Sequence, residues 1–312
     1  MKQLTGFADS SAYRGGFVAI GNFDGVHRGH QRMIAALVAH ARREHVPAVV
    51  LTFDPPPVEI LHPDRVPPRL STLEQKLRLL AGLGVDTAIV YPTNRDFLNL
   101  TPREFFDQIV QHELHARGLV EGPNFYFGKD RAGDVGVLRD LCDRAGLSLD
   151  VVPPVTVGGR LVSSSAIRRA VATGDMSAAA AMLGRPHAVR GTVTEGAGRG
   201  RGLGFPTANL AGVETLLPPD GVYAGRAELD ERRYPAAISL GPNPTFGDDR
   251  RKLEVHVLDF AGTLYGRTLD LEFLDRLRDI RAFAGADDLR AQVEHDLDQA
   301  RAAVDRYEQA LP

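Results

Sequence analysis

The stretch GNFDGVHRGHQ, residues 21–31, decides the fold of the N-terminal half of this chain. The four residues before it, 17–20 (FVAI), are apolar and partly β-branched, which predicts a buried strand. Apolar residues after it recur at helical spacing and predict a helix with one buried face, formed by Met33, Ile34, Leu37, Val38 and Ala41. The glycines and both histidines therefore lie where a strand turns into a helix. Such a turn presents free backbone N–H groups and the positive end of a helix, which favour an anion.

The two histidines of this stretch, His27 and His30, are three positions apart. They share one face if the helix begins by His27. Two imidazoles over a phosphate-accepting helix start indicate chemistry on a nucleoside triphosphate. The alternative is a pair of solvated histidines beside a turn, which is the better interpretation of an isolated H-x-x-H pair. The strand before, the helix after and the flanking glycines favour the functional interpretation here.

The first half of the chain alternates predicted strands with predicted helices. Strands are expected at 17–20, 48–53, 87–90, 119–120 and 149–152. Four helices are expected between or after them: one after the histidine stretch, one from Ser71 or Thr72 to Leu83, one that begins at a capping box formed by Thr101 and Glu104, and one at 135–145. This alternation predicts right-handed βαβ units and a parallel sheet. Ligands of such sheets bind beyond the carboxyl ends of the strands, where the histidines lie.

The pattern changes near residues 184–190. Short β-like segments follow at 188–194, 222–227, 236–240, 253–260 and 269–273, with turn residues between them, and the tail is helical with one broad apolar face. Many short strands with turn signals predict an antiparallel sandwich or barrel. We therefore expect two domains, 1–184 and 187–312.

Composition sets the class of protein. The chain has 312 residues, 43% apolar and 25% charged, with a net charge of −3, which is ordinary for a globular protein and gives no sign of a nucleic-acid binder. The single cysteine, Cys142, excludes an intrachain disulfide, and its helical, apolar neighbours predict a core position. No apolar run approaches the roughly 18 residues of a membrane span, and the N-terminus lacks an apolar signal core. We expect a cytoplasmic protein with no membrane partner.

Four motifs of the first half resemble one superfamily. The stretch at 21–30 is similar to the H-x-G-H signature of nucleotidylyltransferases, in the form found in bacterial FAD synthetases. The segments TFDPPP (52–57), NFYFG with a following GD (124–128 and 133–134) and SSSAIR (163–168) resemble later motifs of that family. The resemblance implies a Rossmann-like α/β domain that joins FMN to ATP and releases pyrophosphate.

Motifs of the second half resemble riboflavin kinases. The glycine-rich run at 196–204 is by itself a weak signal, typical of a flexible hairpin loop, and no Gly-Lys-Ser/Thr follows it as in a P-loop. The whole string GRGRGLGFPTAN (198–209), however, resembles the riboflavin kinase signature, as do DGVYA (220–224), NPTF (243–246) and LEVHVLDF (253–260). The chain thus resembles the prokaryotic bifunctional riboflavin kinase/FMN adenylyltransferase family over nearly its whole length. This implies an antiparallel β-barrel kinase domain with a C-terminal helix.

The resemblance also implies residue roles in the first domain. His27 and His30 would hold the triphosphate and stabilise the transition state, and their protonation stays open because a helix N-terminus disfavours imidazolium whereas bound triphosphate favours it. The other residues expected to bind ATP are Gly21, Phe23, Asp24, Gly29, Asn124, Ser164, Ser165 and Arg168. Asn124 is also expected to bind flavin. Pro56 and Pro123 depart from the family pattern, and both departures fall on the FMN side.

In the second domain, the resemblance implies that Gly198, Gly200 and Gly202 bind the phosphates of ATP and that Thr207 and Asn209 hold Mg²⁺. Glu254 would be the general base that takes the proton of the ribityl 5′-hydroxyl. By itself it would be interpreted as an exposed strand glutamate. His256 is expected to be structural, and Arg281 to bind flavin.

The implied ligands are riboflavin, FMN, FAD, ATP, ADP, pyrophosphate and Mg²⁺. Two other classes of function stay open: a different adenylyl- or cytidylyltransferase with an unrelated barrel, and a non-catalytic flavin-binding or regulatory protein that has kept the fold. The sequence also leaves open whether the protein is a homo-oligomer, whether FMN is channelled between sites, and whether the reactions run in reverse.

Overall fold

The computed structural model describes residues 1–195, 204–230, 232–246 and 248–310. The chain forms two compact units, one of Met1–Pro67 with Leu73–Ser163 and one of Pro68–Thr72 with Ser164–Pro312. Residues 164–184, which the sequence pattern assigns to the first domain, thus belong to the second compact unit. The predicted boundary between the adenylyltransferase domain (1–184) and the kinase domain (187–312) stays a prediction.

The first unit is built on a six-stranded parallel sheet, as the alternating pattern predicts. Its strands are β1 (Lys2–Thr5), β2 (Phe17–Ile20), β3 (Ala48–Phe53), β4 (Thr87–Tyr91), β5 (Gly118–Glu121) and β6 (Ser148–Val151). Their order is β1-β4-β3-β2-β5-β6, and every neighbouring pair is parallel. Across the sheet, successive neighbours run backwards in the chain from β4 to β2 and then forwards from β5 to β6, so the strand order reverses between β2 and β5. In sheets of this kind the point of reversal leaves a crevice at the carboxyl ends of the strands.

The helices of this unit cover both faces of the sheet. They are α1 (Arg28–Glu44), α2 (Pro57–Leu61), α3 (Leu73–Gly82), α4 (Arg95–Leu98), α5 (Pro102–Phe105) and α6 (Val135–Ala145), with a π-helical segment at Phe106–Glu113 and a small hairpin of β7 (Thr156–Val157) and β8 (Arg160–Leu161). The predicted capping box is confirmed, because the side chains of Thr101 and Glu104 each accept the backbone N–H of the other. Strand β1 and the change to π-helix after Phe105 are features that the sequence pattern did not predict.

Alternation along the strands separates the core into two layers. In β2, Val18 and Ile20 pack with the residues of α6 and the 97–114 region, whereas Phe17 and Ala19 pack against α1. Cys142 is fully buried in the first layer, as predicted. Burial raises the pKa of its thiol to about 11, which leaves it protonated and unreactive at neutral pH.

The second unit contains a closed antiparallel barrel, which decides between the two architectures that the pattern allowed. Its strands are β9 (His187–Thr194), β10 (Ala208–Ala211), β11 (Gly221–Leu229), β12 (Arg232–Asn243), β13 (Asp248–Val257) and β14 (Thr268–Arg278). They are arranged β10-β13-β12-β11-β14-β9, and pairing of β9 with β10 closes the barrel. The short strand β10 begins with the last two residues of the resembling motif, and the sequence pattern did not predict it as a strand.

Among the described residues, this unit also contains helices α7 (Ser164–Ala172), α8 (Met176–Leu183) and α9 (Ala286–Gln309), of which α7 packs against α8. Helix α8 contacts β14 and β9, which is why residues before 184 belong to this unit. Helix α9, predicted from its apolar face, contacts β11, β12 and β14. In the ranges that the structure describes, every helix is too short or too polar to cross a membrane.

Candidate active sites

The turn between β2 and α1 has an unusual backbone. Phe23, Gly25 and Val26 have φ angles of 49°, 78° and 38°. A positive φ is rare for a β-branched residue, so the buried Val26 is strained and must be held by its surroundings. Gln31 contributes to this hold, because its side-chain amide donates to the carbonyl of Val26 at 2.8 Å. The turn is a rigid structure rather than an open loop.

The two histidines meet at the start of α1, as the spacing predicts. His27 is the N-cap residue, and its Nδ1 accepts the backbone N–H of His30 at 3.3 Å. Their rings are stacked, with centroids 3.6 Å apart and planes 12° apart. Gly29 makes room for this stack, since a Cβ atom there would lie 3.1 Å from the His27 ring. An Nδ1 that accepts a hydrogen bond carries no proton, so His27 is a neutral imidazole protonated at Nε2 in this arrangement.

The surroundings of His30 answer the question of its charge in the free protein. Burial, followed by the effects of His27 and Lys76, lowers the pKa of His30 well below its ordinary value, so the ring is neutral at pH 7. Its Nδ1 is buried and has no hydrogen-bond partner in the part of the chain that the structure describes. A buried, unpaired ring nitrogen at a helix start is available to a bound ligand.

Lys76 is a residue of this site that sequence reasoning missed. It lies on α3, is 7% exposed, and its Nζ donates to the hydroxyl of Thr52 at 3.3 Å. Thr52, at the end of β3, also approaches the carbonyl of Asn22 in the turn. Lysines are seldom this deeply buried. The signal was present in the sequence, because Lys76 falls on the apolar face of its helix between Leu73 and Leu80.

The other residues predicted for the first site lie around the same edge of the sheet. Gly21 and Asp24 belong to the turn itself, whereas Asn124 is exposed on the loop after β5, the strand adjacent to β2. Pro123 is exposed beside Asn124, and Pro56 is the N-cap of α2, a position that tolerates the missing N–H of proline. The two prolines are therefore accommodated without loss of a strand or helix.

The predicted serines and arginine start helix α7. Ser164 and Ser165 are its first residues, and the Arg168 guanidinium donates through Nε to the carbonyl of Pro68 at 2.7 Å. All of them belong to the second compact unit. Their contribution to the site with His27 and His30 stays a prediction.

In the barrel, the structure brings the predicted kinase residues together. Asn209 on β10 lies directly opposite Glu254 on β13 in the antiparallel ladder, so their side chains are neighbours. Thr207, Asn209 and Glu254 all line one cavity on the outer face of these strands. Gly198, Gly200 and Gly202 lie outside the described residues, so their predicted contact with phosphate is untested.

His256 also lines this cavity and has a specific partner. Its Nδ1 lies 2.8 Å from the carbonyl of Pro206, and a carbonyl only accepts, so Nδ1 carries the proton. The ring thereby holds the segment that leads into Thr207. Phe205 contacts the same ring edge-on, with centroids 6.1 Å apart. This bond connects His256 to the segment that carries Thr207, and a purely structural role for His256 stays a prediction.

Arg281 lines the far wall of the cavity, between β14 and α9. Its guanidinium lies 5.0 Å from the ring centroid of Phe283 and donates to Gln292 of α9 at 2.6 Å. Gln292 in turn donates to Asp296, which is 3% exposed and is bound by Arg278 through both carboxylate oxygens. This network was not predicted. It connects Arg281 to the C-terminal helix.

Comparison with known proteins explains why both sites occur in one chain. The family profile for FAD synthetase matches residues 9–166, and that for riboflavin kinase matches residues 183–304. The bifunctional riboflavin kinase/FMN adenylyltransferase of Escherichia coli (strain K12) is 36% identical over 299 residues, which cover 95% of this chain and 96% of the relative. The chain belongs to this bifunctional family. It has an FAD synthetase domain followed by a riboflavin kinase domain, as the motifs predict.

Other members and one solved structure agree with this membership. The bifunctional riboflavin kinase/FMN adenylyltransferase of Pseudomonas fluorescens is 38% identical over 291 residues, 93% of each chain, and that of Bacillus subtilis (strain 168) is 36% identical over 289 residues, 91% of this chain and 90% of the relative. A crystal structure described as a macrolide-efflux protein from Streptococcus pneumoniae has a TM-score of 0.86 at 32% identity, with 96% of this chain and 99% of that chain covered. Nearly the whole chain thus shares its fold with that solved structure.

Proposed function

We propose that the His27–His30 pair is the adenylyl-transfer site, and that Thr207, Asn209 and Glu254 form the riboflavin phosphorylation site. The observation that carries the first assignment is the stack of two neutral imidazoles at the start of α1, directly after the strand at which the sheet order reverses. The observation that carries the second is the register that places Asn209 opposite Glu254.

In adenylyl transfer, a phosphate oxygen of FMN attacks the α-phosphorus of ATP. The new P–O bond forms FAD, and the bond between the α-phosphorus and its bridging oxygen breaks to release pyrophosphate. FMN brings its own nucleophile, so the protein positions groups and stabilises the growing negative charge. We assign the His27 ring and the first backbone N–H groups of α1 as the groups that face this charge. The open Nδ1 of His30 is the atom that takes up a proton when the triphosphate arrives.

Lys76 adds a positive charge to the same site. Its amine reaches the turn through Thr52 and lies close enough to lower the pKa of His30. A cation beside the phosphates stabilises charge in the reactant and in the leaving pyrophosphate. Serines 164 and 165 and Arg168 are assigned to ATP on the strength of their motif.

In riboflavin phosphorylation, the ribityl 5′-hydroxyl attacks the γ-phosphorus of ATP. Glu254 takes the hydroxyl proton as the new P–O bond forms, and the bond to the β-phosphate breaks to release ADP. The hydroxyl of Thr207 and the amide oxygen of Asn209 are hard oxygen donors at the mouth of one cavity, a set that fits Mg²⁺. These two residues would hold the ion, which would supply positive charge to neutralise the phosphates of ATP.

The flavin end of the kinase site is the wall that carries Arg281. Phe283, Ile280 and residues of α9 make that wall apolar, and the guanidinium of Arg281 supplies a donor for flavin oxygens. In the first unit, Asn124 is assigned to ATP and flavin from its motif. We place the enzyme in the cytoplasm, with riboflavin, FMN, FAD, ATP, ADP and pyrophosphate as ligands and no nucleic-acid or membrane partner.

One assay tests both assignments. The purified chain is incubated with riboflavin, ATP and Mg²⁺, and FMN and FAD are separated by chromatography over time. FMN should appear first and FAD after it, and chelation of the metal should stop the phosphorylation. FAD formed from supplied FMN but none from riboflavin would indicate a transferase with an unrelated barrel. Absence of both products would indicate a flavin-binding protein that has kept only the fold.

A further inference from the structure

Glu121 is a buried acid that neither reaction uses. It ends strand β5, is 1% exposed, and its Oε1 accepts the backbone N–H of Ile20 at 2.8 Å. Ile20 is the last residue of β2 and directly precedes Gly21. The next amide, that of Gly21, donates on the opposite side to the carbonyl of Leu51 in β3 at 3.0 Å. The two amides that lead into the turn are therefore held from opposite sides, that of Ile20 by the Glu121 side chain and that of Gly21 by the main chain of β3.

The ladder between β2 and β5 is shorter than the strands that form it. The register pairs Phe17 with Gly118 and Val18 with Leu119, whereas both strands continue for two more residues. On their other sides the same strands stay paired to the end, Ile20 with Leu51 and Glu121 with Val151. The sheet thus opens only between β2 and β5, where its order reverses. The Glu121 carboxyl occupies that opening and takes the place of a main-chain acceptor.

The charge state of Glu121 suits this position. Burial raises its pKa well above the ordinary value, and the hydrogen bond from Ile20 offsets this only in part. A neutral carboxyl still accepts a hydrogen bond through its carbonyl oxygen. An ionised carboxylate here would instead place a negative charge beneath a site for triphosphate.

We propose that Glu121 is a positioning residue of the adenylyl-transfer site, whose carboxyl holds the ends of β2 and β5 apart and so sets where the turn presents its amides and His27 and His30. This inference rests on the proposed function of that turn. Without the acceptor, the Ile20 N–H either stays unpaired in the interior, which is unfavourable, or finds a carbonyl of β5. The second response would close the opening and move the turn.

Three substitutions of Glu121 distinguish the length of its side chain from its ability to ionise. Glu121→Gln keeps the reach and the acceptor without an ionisable group. Glu121→Asp keeps the acid but shortens the side chain by one methylene, and Glu121→Leu removes the acceptor at similar volume. We expect Glu121→Gln to keep kcat for FAD formation within about threefold of the unchanged protein. Glu121→Asp and Glu121→Leu should lose about tenfold or more in kcat, with a smaller change in KM for ATP, because a displacement near 1 Å is costly in a preorganised site.

Two further measurements make the result decisive. Hydrogen exchange across the first compact unit reports whether that unit has folded, and exchange at the Ile20 amide reports whether its bond is lost in the Asp and Leu variants alone. Normal FAD formation by Glu121→Leu or by Glu121→Asp would overturn the inference, as would a loss in Glu121→Gln as large as that in Glu121→Leu. If the Leu variant does not fold, the comparison of Gln with Asp decides by the same criteria. Failure of the unchanged protein to form FAD would instead overturn the proposed function of the turn.

Discussion

The imidazole of His27 stacks on the imidazole of His30 at a centroid separation of 3.6 Å, and the Nδ1 of His27 accepts the backbone N–H of His30. The pair is therefore built as a unit. His27 caps the helix through its Nδ1, and the buried Nδ1 of His30 has no hydrogen-bond partner among the residues that the structure describes. Two protonated rings at this separation would repel, which favours the neutral form of the pair in the free protein.

Replacement of His30 by alanine should abolish FAD formation and leave FMN formation intact. Loss of one transition-state donor typically costs on the order of 100-fold or more in rate. The measurement is the rate of FAD formation from FMN and ATP, with riboflavin phosphorylation as the internal control. His40→Ala is a matched control, because His40 lies on the same helix but pairs with Asp150. Near-normal FAD formation by His30→Ala would refute the assignment.

Binding of ATP to the adenylyl-transfer site should take up a proton at His30. Burial lowers the pKa of His30 in the free protein, so the ring is neutral at pH 7, whereas a bound triphosphate favours the imidazolium and raises that pKa. Between the two pKa values the complex holds more protons than the free protein, so ATP affinity rises as the pH falls through that window, by at most about tenfold per unit. Calorimetry in buffers of different ionisation enthalpy measures the uptake.

The matched variant for this experiment is His30→Gln, which cannot titrate in this range. Its binding of ATP should proceed with less proton uptake than that of the unchanged protein, and the difference isolates His30 from the ATP site of the kinase domain. Equal uptake by both proteins would show that another group titrates.

Replacement of Glu254 by glutamine should remove riboflavin phosphorylation and spare FAD formation from supplied FMN. A general base contributes about 100- to 10,000-fold to a rate, and glutamine keeps the shape but cannot accept the proton. The rate of FMN formation is the measurement. Glu228→Gln is the control, since Glu228 lies on β11 and pairs with Arg233. Retained kinase activity in Glu254→Gln would show that another group takes the proton.

His256→Ala should weaken the use of ATP in the kinase reaction, whereas His256→Asn should largely restore it. The bond from Nδ1 to Pro206 holds the segment before Thr207, and an asparagine amide can donate from nearly the same position. A neutral hydrogen bond is worth about 1 kcal/mol, so KM for Mg-ATP should rise about fivefold in the alanine variant. Kinase kinetics at varied ATP measure this effect. Equal behaviour of the two variants would mean that the donor is unimportant and that only the bulk of the ring matters.

Much of the fold followed from local pattern. The strand at 17–20, the helix that starts after His27 and the Thr101–Glu104 box each depend on residues within one or two turns of the chain, and all are present. Strand β10, Ala208-Asn209-Leu210-Ala211, was missed because its four mostly small or polar residues lack a strong alternating signal. Only pairing with β9 and β13 makes them a strand.

The candidate sites divide in the same way. The resemblance of local motifs to the family implied roles for His27, His30, Thr207, Asn209 and Glu254, since motif identity and spacing are local properties of the sequence. Lys76 and Glu121 could not be assigned from spacing, since their significance depends on contacts with Thr52, 24 positions away, and with Ile20, 101 positions away. A charged residue within an apolar pattern indicates an unusual buried group, but the sequence does not show which residue it contacts.

From its residues alone, this chain specifies a strand, a glycine-rich turn and a helix that place two histidines in register, and a second module that resembles a kinase. Tertiary structure decided that the rings stack and are neutral, that β2 and β5 separate around Glu121, and that Asn209 faces Glu254 across a closed barrel. The physical reason is that helix and turn formation depend on neighbours in sequence. Burial, pKa and strand register depend instead on segments that only folding brings together.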